Sequence, residues 1–261
     1  MSQTILFSPT PSWLDPEKEI KLPDQPKEYE KLDNKTKAIV FILLSIKSLV
    51  SCCPTLSTNQ AISIVANSVV ETGWGKTWKG WSFGGWKITK PEVDKVKLLT
   101  GICPNWWKAE GHTASGDPPV CYYKAFNGPD QFYMEWLNRF VPRDAPENHR
   151  YHKTGKIFWQ GSQDWFKELC LAGYKGVVTA NSPEKSVSDW ISINKSIKIR
   201  LAQYFLNQTY DGIWGKKSED ACKLFQETIG RAKTGQLDDM TFSKLLGKWI
   251  LEGMKIPFIK V

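Results

Sequence analysis

Ser57-Thr-Asn-Gln-Ala-Ile-Ser-Ile-Val-Ala-Asn-Ser-Val-Val-Glu-Thr-Gly-Trp-Gly75 is the stretch on which the reading of the fold turns. Ser57, with Gln60 three residues later, has the pattern of a capping box, in which two side chains satisfy backbone N–H groups that a helix start leaves open. Ile62, Val65, Ala66 and Val69 then recur at i, i+3, i+4 and i+7, the apolar face of a helix that Gly73 ends. Glu71 therefore stands at the C-terminal end of a largely apolar helix, followed at once by Gly73, Trp74 and Gly75. That setting predicts partial desolvation, which raises a carboxyl pKa and keeps the acid protonated near neutral pH. A protonated carboxyl beside Trp is what protonation of a glycosidic oxygen requires. On position alone, a Glu near a helix end is also an ordinary solvated carboxylate, so the surrounding sequence has to decide.

Upstream, the apolar positions from Asn34 to Val50 are dense enough for a core helix, and Pro54 closes it. Its longest apolar run, Ala38 to Leu44 with Ile46, is about half of a bilayer span and predicts a buried helix without stable membrane insertion. Residues 1–34 carry Pro9, Pro11, Pro16, Pro23 and Pro26 and read as an arm laid over the domain. Downstream, Trp74 to Val120 has no sustained helical period and reads as loops with a small β-hairpin. Helices return from Asp130, with Phe132, Trp136 and Phe140 on one face and Trp165, Leu169 and Ala172 on another, separated by a polar loop from Pro142 to His152. A further helix begins near Pro183 and carries Val187, Trp190 and Ile191.

The pattern changes at the C-terminal end. Ile199, Leu201, Ala202, Phe205 and Leu206 precede the turn Tyr210-Asp-Gly-Ile-Trp-Gly215, whose glycine tolerates positive φ. Ala221, Leu224 and Phe225 mark a second helix, Thr234-Gly235 a second turn, and Asp239 to Leu245 a third helix. The fold class read from these patterns is mainly α (α+β): a Pro-rich arm over residues 1–34, a helical domain with a small irregular or β lobe over 35–194, and a three-helix unit over 195–261.

Composition narrows the function. The chain of 261 residues has a net charge of +8, which favours an anionic partner. Residues 195–261 hold twelve Lys or Arg against seven Asp or Glu, so much of that excess lies in the last unit. Thirteen Trp residues lean towards stacking on sugar rings. No nucleic-acid-binding motif accompanies the charge. Six cysteines are spread along the chain, with Cys52 and Cys53 adjacent, and predict reduced thiols in place of a disulfide scaffold. His149 and His152 are the only close histidines and lack further ligands at metal-binding spacing, so no metal and no cofactor is expected. Met1 to Lys35 lacks the basic and apolar regions of a secretory signal, which predicts synthesis in the cytosol.

Gln60 to Lys76, with its Glu71-Thr-Gly-Trp-Gly75 ending, resembles the helix-ending segment of bacterial cell-wall glucosaminidases of glycoside hydrolase family 73, which have a lysozyme-like fold. Trp81-Ser-Phe-Gly-Gly-Trp-Lys87 is similar to that family's N-L-F-G-I-K element. Tyr123-Lys-Ala-Phe126, with Asp130 and an aromatic helix after it, resembles the element that begins the family's next helix. Leu171-Ala-Gly-Tyr174 resembles its A-G-Y-A-T-D segment. The resemblance implies Glu71 as general acid and Tyr174 at the reaction centre. It implies a second carboxylate in the irregular lobe, at Glu110 by the family's usual position upstream of the Tyr123 motif, with Asp117, Glu92 and Asp94 as competitors. Phe83, Trp86 and Tyr123 lie within matched motifs and become the substrate-side candidates. Ser82 and Gly85, and the Lys-Gly-Val that follows Tyr174, depart from the family pattern.

The last unit resembles the common peptidoglycan-binding domain found beside cell-wall hydrolases, through Asp211-Gly212-Ile213-Trp214-Gly215-Lys216-Lys217-Ser218, Phe225-Gln226, Thr234-Gly235-Gln236-Leu237-Asp238 and Leu245. Asp211, Gly212, Trp214 and Gly215 are the residues that carry this resemblance. Both resemblances imply one polymer, bacterial peptidoglycan. The expected activity is endo-β-N-acetylglucosaminidase cleavage by a monomeric, endolysin-like enzyme that reaches the wall through a phage-type pore or a dedicated secretion route. A muramidase or lytic transglycosylase on the same fold, and a non-catalytic wall-binding protein, are the alternatives.

Overall fold

The computed structural model describes residues 27–84, 87–88, 106–110, 120–174 and 183–257. The protein is mainly α. Among the described residues the helices are α1 (Lys27–Glu30), α2 (Asn34–Cys52), α3 (Thr58–Thr72), α4 (Pro129–Phe140), α5 (His152–Trp159), α6 (Trp165–Leu171), α7 (Pro183–Phe205), α8 (Lys216–Thr228) and α9 (Asp239–Leu251). The strands are β1 (Lys87–Ile88), β2 (Trp106–Glu110) and β3 (Val120–Lys124). The chain divides into two compact units: Gly85–Ala125 belongs to one and holds the strands, while Asp24–Gly84 and Phe126–Val261 form the other and hold the helices.

The strands form an antiparallel sheet in the order β1-β3-β2. Lys87 pairs with Tyr123 and Ile88 with Tyr122, while β2 runs from Trp106 opposite Lys124 to Glu110 opposite Val120. The irregular lobe expected after Trp74 thus contains a third strand beyond a hairpin.

In the helical unit, α2 is the central element. The Asp33 side chain caps it by accepting from the Lys35 and Thr36 N–H groups. Every residue from Ala38 to Ile46 is buried, which is why the run lacks a polar face: α3, α4 and α7 pack around it. The capping box of α3 forms as its sequence requires, with Gln60 N–H donating to Ser57 Oγ at 3.3 Å and Ser57 N–H donating to Gln60 Oε1 at 2.9 Å. Gln60 Nε2 donates further, to the Phe158 carbonyl of α5 at 2.7 Å. Tyr29 of α1 is buried, so the described end of the arm is anchored by one aromatic side chain.

Two elements differ from expectation. Residues 152–159, placed mostly beyond a polar loop, form α5. Its interior Gly155 lies so close to the Pro142 carbonyl that a Cβ would collide with it, and that close approach justifies a glycine which sequence periodicity counts against a helix. The second difference concerns the boundary at 194/195. Helix α7 runs through it without a break, so the two expected modules share one helix and no loop separates them. Its first half is fixed by Trp190, whose ring stacks on Phe166 at 4.8 Å and whose Nε1 donates to the Ser63 carbonyl of α3 at 3.0 Å. Its second half buries Ile197, Leu201 and Ala202 and packs on α9.

The C-terminal half repeats itself every 23 residues: α7 and α8 end at Phe205 and Thr228, and α8 and α9 begin at Lys216 and Asp239. The repeat extends to single hydrogen bonds. Gln203 Nε2 donates to Asp211 Oδ1 and to the Ile213 carbonyl at 2.9 and 2.8 Å, and its Oε1 accepts from Gly212 N–H at 2.9 Å. One repeat later, Gln226 Nε2 donates to Thr234 Oγ1 and to the Gln236 carbonyl, both at 3.0 Å, and its Oε1 accepts from Gly235 N–H at 2.9 Å. Gly212 and Gly235 have φ of 84° and 74°, a region where side chains with Cβ are disfavoured. Both glutamines are buried, so each serves as the hydrogen-bonding centre of its own loop. Replacing either by Ala strands a buried N–H and several acceptors, so Gln203→Ala and Gln226→Ala are each expected to cost about 2–4 kcal/mol in urea unfolding. A loss below about 0.5 kcal/mol for either would show that its loop is held by other contacts.

Candidate active site

The site is built where α3 ends. Gly73, Trp74 and Gly75 have φ of 56°, 64° and 76°, three left-handed residues in succession. Gly73 caps the helix, and Trp74 N–H returns to the Val69 carbonyl at 2.8 Å. Thr72 Oγ1 donates to the Ser68 carbonyl at 2.7 Å and accepts from Gly75 N–H at 3.0 Å, which ties the turn back onto its helix. Tyr29 Oη donates to the Gly75 carbonyl at 2.7 Å. Glu71 is presented from this stapled end and is exposed. Its side chain is not buried, contrary to what its place at the end of a largely apolar helix suggested: the apolar face of α3 turns into the core at Val65, Ala66 and Val69, while Val70 and Glu71 lie on the outward side.

Tyr174 follows α6 and comes to the same place. Its hydroxyl accepts from Asn67 Nδ2 at 2.6 Å, and Asn67 lies one helical turn before Glu71 on α3. Burial pushes the Tyr174 phenol above its ordinary value near 10, and the negative charge of Glu71 pushes it in the same direction. The phenol thus stays protonated over the physiological range and holds a proton that it can donate. Its ring meets Phe140 edge-on at 4.7 Å and Trp136 at 6.3 Å. Gly84 lies alongside, where a Cβ would stand 3.9 Å from the Tyr174 hydroxyl and 3.3 Å from Phe132. The segments around Glu71, Phe83-Gly84, Phe132 and Tyr174 are far apart in sequence and meet here.

Phe83 does not line a groove. It is fully buried at the centre of an aromatic cluster, with Phe41 at 4.9 Å, Trp78 and Phe132 at 5.3 Å and Tyr133 at 5.8 Å. Its motif carries the backbone of Gly84 to Tyr174, and the phenyl ring supplies the core that fixes it. Trp78 is buried in the same cluster, whereas Trp81 is partly exposed. Trp86 lies outside the described residues, as do Glu92, Asp94 and Asp117. Glu110 ends β2 opposite Val120, and Tyr123 is half-buried on β3 opposite Lys87 and Trp107.

Asn67 and Arg150 are the residues here that sequence reading passed over. Asn67 is a polar residue in the buried stretch of a helix and four residues from Glu71, a spacing that was legible. Arg150 Nε donates to the Ala172 carbonyl and its Nη2 to the Gly173 carbonyl, so it clamps the turn that delivers Tyr174. Arg150 comes from a loop without period, and nothing in its sequence context marked it.

Asp211, Gly212, Trp214 and Gly215 all serve their own fold. Asp211 Oδ1 accepts from Ile213 N–H and from Gln203 Nε2, which holds its carboxyl below the usual carboxylate range. Trp214 Nε1 donates to the Gly235 carbonyl at 3.1 Å, and Gly215 caps α8. No disulfide joins Cys52, Cys53, Cys170 or Cys222. Among the described residues no cluster of His, Cys, Asp and Glu is placed to hold a metal ion, and no helix is long and apolar enough to cross a membrane. Compared with protein-family models, curated proteins and solved structures, the chain shows no match.

Among the described residues Tyr174 is one of four phenols that burial raises, with Tyr29, Tyr133 and Tyr204. Such a group contributes stability that is fully present below its unfolded value and is lost as pH rises through that value towards the folded one. Urea stability is therefore expected to hold up to about pH 9 and to fall steeply above about pH 10. Tyr174→Phe should lower stability at neutral pH, by leaving Asn67 Nδ2 without its acceptor, yet reduce the slope of the alkaline loss. An unchanged slope would show that Tyr174 titrates normally.

Proposed function

We propose that the protein is a peptidoglycan-degrading glycoside hydrolase with a lysozyme-like helical domain, a small β lobe and a three-helix wall-binding half, acting most readily as an endo-β-N-acetylglucosaminidase. The observation that carries this reading is the convergence of Glu71, Gly84, Phe132 and Tyr174. Four segments that resemble the family motifs in sequence order are brought around one phenol and one carboxyl.

In this reading Glu71 protonates the leaving glycosidic oxygen, a contribution of about 10²–10⁴ in rate for a positioned general acid. Tyr174, held protonated and oriented by Asn67, donates a hydrogen bond to the reacting sugar or to the Glu71 carboxylate once its proton has left. Glu110 remains the proposed second carboxylate. The basic C-terminal half supplies attraction to the anionic wall. No cofactor enters the proposed chemistry.

The exposure of Glu71 favours one second reading, a wall-binding protein without cleavage, because a general acid works best where its surroundings shield it from water. Digestion of purified peptidoglycan, borohydride reduction of new ends and mass spectrometry separates the readings. Reduced N-acetylglucosamine ends are expected, and Glu71→Gln should lower their yield at least about a hundredfold while folding and wall binding persist. Reduced N-acetylmuramic acid ends would make the enzyme a muramidase, anhydro ends a lytic transglycosylase, and a coated but intact wall would leave binding alone.

A further inference from the structure

Arg200 lies in the second half of α7 and touches two turns at once. Its guanidinium stands over the Trp74 indole, 4.7 Å from the ring centroid, and its Nη1 donates to the Tyr210 carbonyl at 2.8 Å. Trp74 is the middle residue of the left-handed turn that follows Glu71, with φ of 64°. A residue with a Cβ costs about 1 kcal/mol or more in that region, so contacts outside the turn must hold it there.

Tyr210 opens the loop that contains Asp211 and Gly212, and its hydroxyl lies 3.2 Å from Thr36 Oγ1 near the start of α2. Gly212 also packs against the arginine, where a Cβ would stand 3.1 Å from Nε and 2.9 Å from Ser196 Oγ. The guanidinium thus lies against both an indole and a glycine backbone, and its Nε is buried. A planar, weakly hydrated cation suits such a slot, and the tetrahedral, strongly hydrated ammonium of lysine does not.

We propose that Arg200 is a positioning residue for Glu71: through Trp74 it fixes the turn that presents the carboxyl, and it makes the C-terminal half a structural part of the site in addition to an anchor. The proposal rests on the Glu71 reading above. It also gives the continuous α7 a purpose. The loop that hydrogen-bonds to Gln203 and the turn that ends α3 are joined by a rigid helix and one side chain, so wall docking through the C-terminal half holds Glu71 at a fixed offset from the docked glycan.

The test uses the full chain carrying Arg200→Ala, Arg200→Lys, Trp74→Ala or the Arg200→Ala/Trp74→Ala pair. Four quantities are read: amide hydrogen exchange over residues 72–77, kcat and KM on soluble glycan fragments, cosedimentation with intact wall, and the thermal midpoint. For Arg200→Ala we expect cooperative unfolding and normal cosedimentation, exchange over 72–77 faster by about tenfold, and kcat lower by about tenfold with KM within about twofold. Lysine should not rescue, and the double variant should lose no more than the worse single one. Unchanged exchange over 72–77 in Arg200→Ala, full rescue by lysine, or additive losses in the pair would overturn the proposal. Should Arg200→Ala fail to fold, Arg200→Lys and Trp74→Ala decide by the same exchange and kcat criteria. A wild-type chain that cleaves nothing would remove the catalytic role of Glu71, and with it the positioning role, while the exchange result would still report whether Arg200 and the Trp74 turn are coupled.

Discussion

The structure around Glu71 depends on one close approach. Gly75 lies flat against α2, where a Cβ would stand 2.5 Å from both Phe41 Cβ and the Tyr29 hydroxyl. Only a residue without a side chain, and one at ease with φ of 76°, fits there. Because Gly75 is pressed into this place, Tyr29 can bond its carbonyl and Thr72 its N–H. The last turn of α3 before it carries Glu71 on its outward side, the turn itself places Trp74 under Arg200, and the chain after it sends Trp78 and Phe83 into the aromatic core.

The candidate site follows a division of labour. Helices α2, α3, α4 and α7 supply the rigid frame, and the chemical groups stand where elements end: Glu71 at the last turn of α3, Tyr174 just after α6, Gly84 in the loop after the aromatic cluster. Each end is closed by a specific contact: Thr72 and Tyr29 for the first, Arg150 and Asn67 for the second, packing on Phe132 for the third. Residues on element ends can be aimed without disturbing the core, provided such contacts remove their freedom. The C-terminal half uses the same economy twice over, with one buried glutamine per loop in two successive copies of a helix–loop unit.

Much of the frame was legible in the sequence because local rules and packing agree there. The Ser57–Gln60 capping box and the Ile62 to Val69 face mark α3, and the dense apolar run marks α2. What was not legible reflects tertiary contacts. The change of apolar pattern after Ile191 suggested a boundary at 194/195, yet α7 continues because its two halves bury different partners, Phe166 against Trp190 and α9 against its end. Helix α5 was hidden by Gly155, a residue demanded by Pro142. Phe83 sits in a motif that suggested a groove, and composition alone does not separate a core aromatic from a platform for sugars. Asp211 and Gly212 were readable as a turn, but their dependence on Gln203 needed the 23-residue repeat, which shows only when Gln203 and Gln226 are seen bonding their loops alike. The exposure of Glu71 depends on which side of α3 the core occupies, and an end-of-helix residue gives the weakest periodic signal.

The central claim is that Glu71 and Tyr174, brought together by α3 and the turn after α6, form one electrostatic unit. Selective labelling of tyrosine rings and their titration by NMR, in wild type and in Glu71→Gln, tests this without relying on any substrate. If the two groups share a site, Tyr174 titrates above the ordinary tyrosine value near 10 in wild type and moves downward when the neighbouring charge is removed. A Tyr174 titration that is unmoved by Glu71→Gln would place the two groups apart and contradict the account.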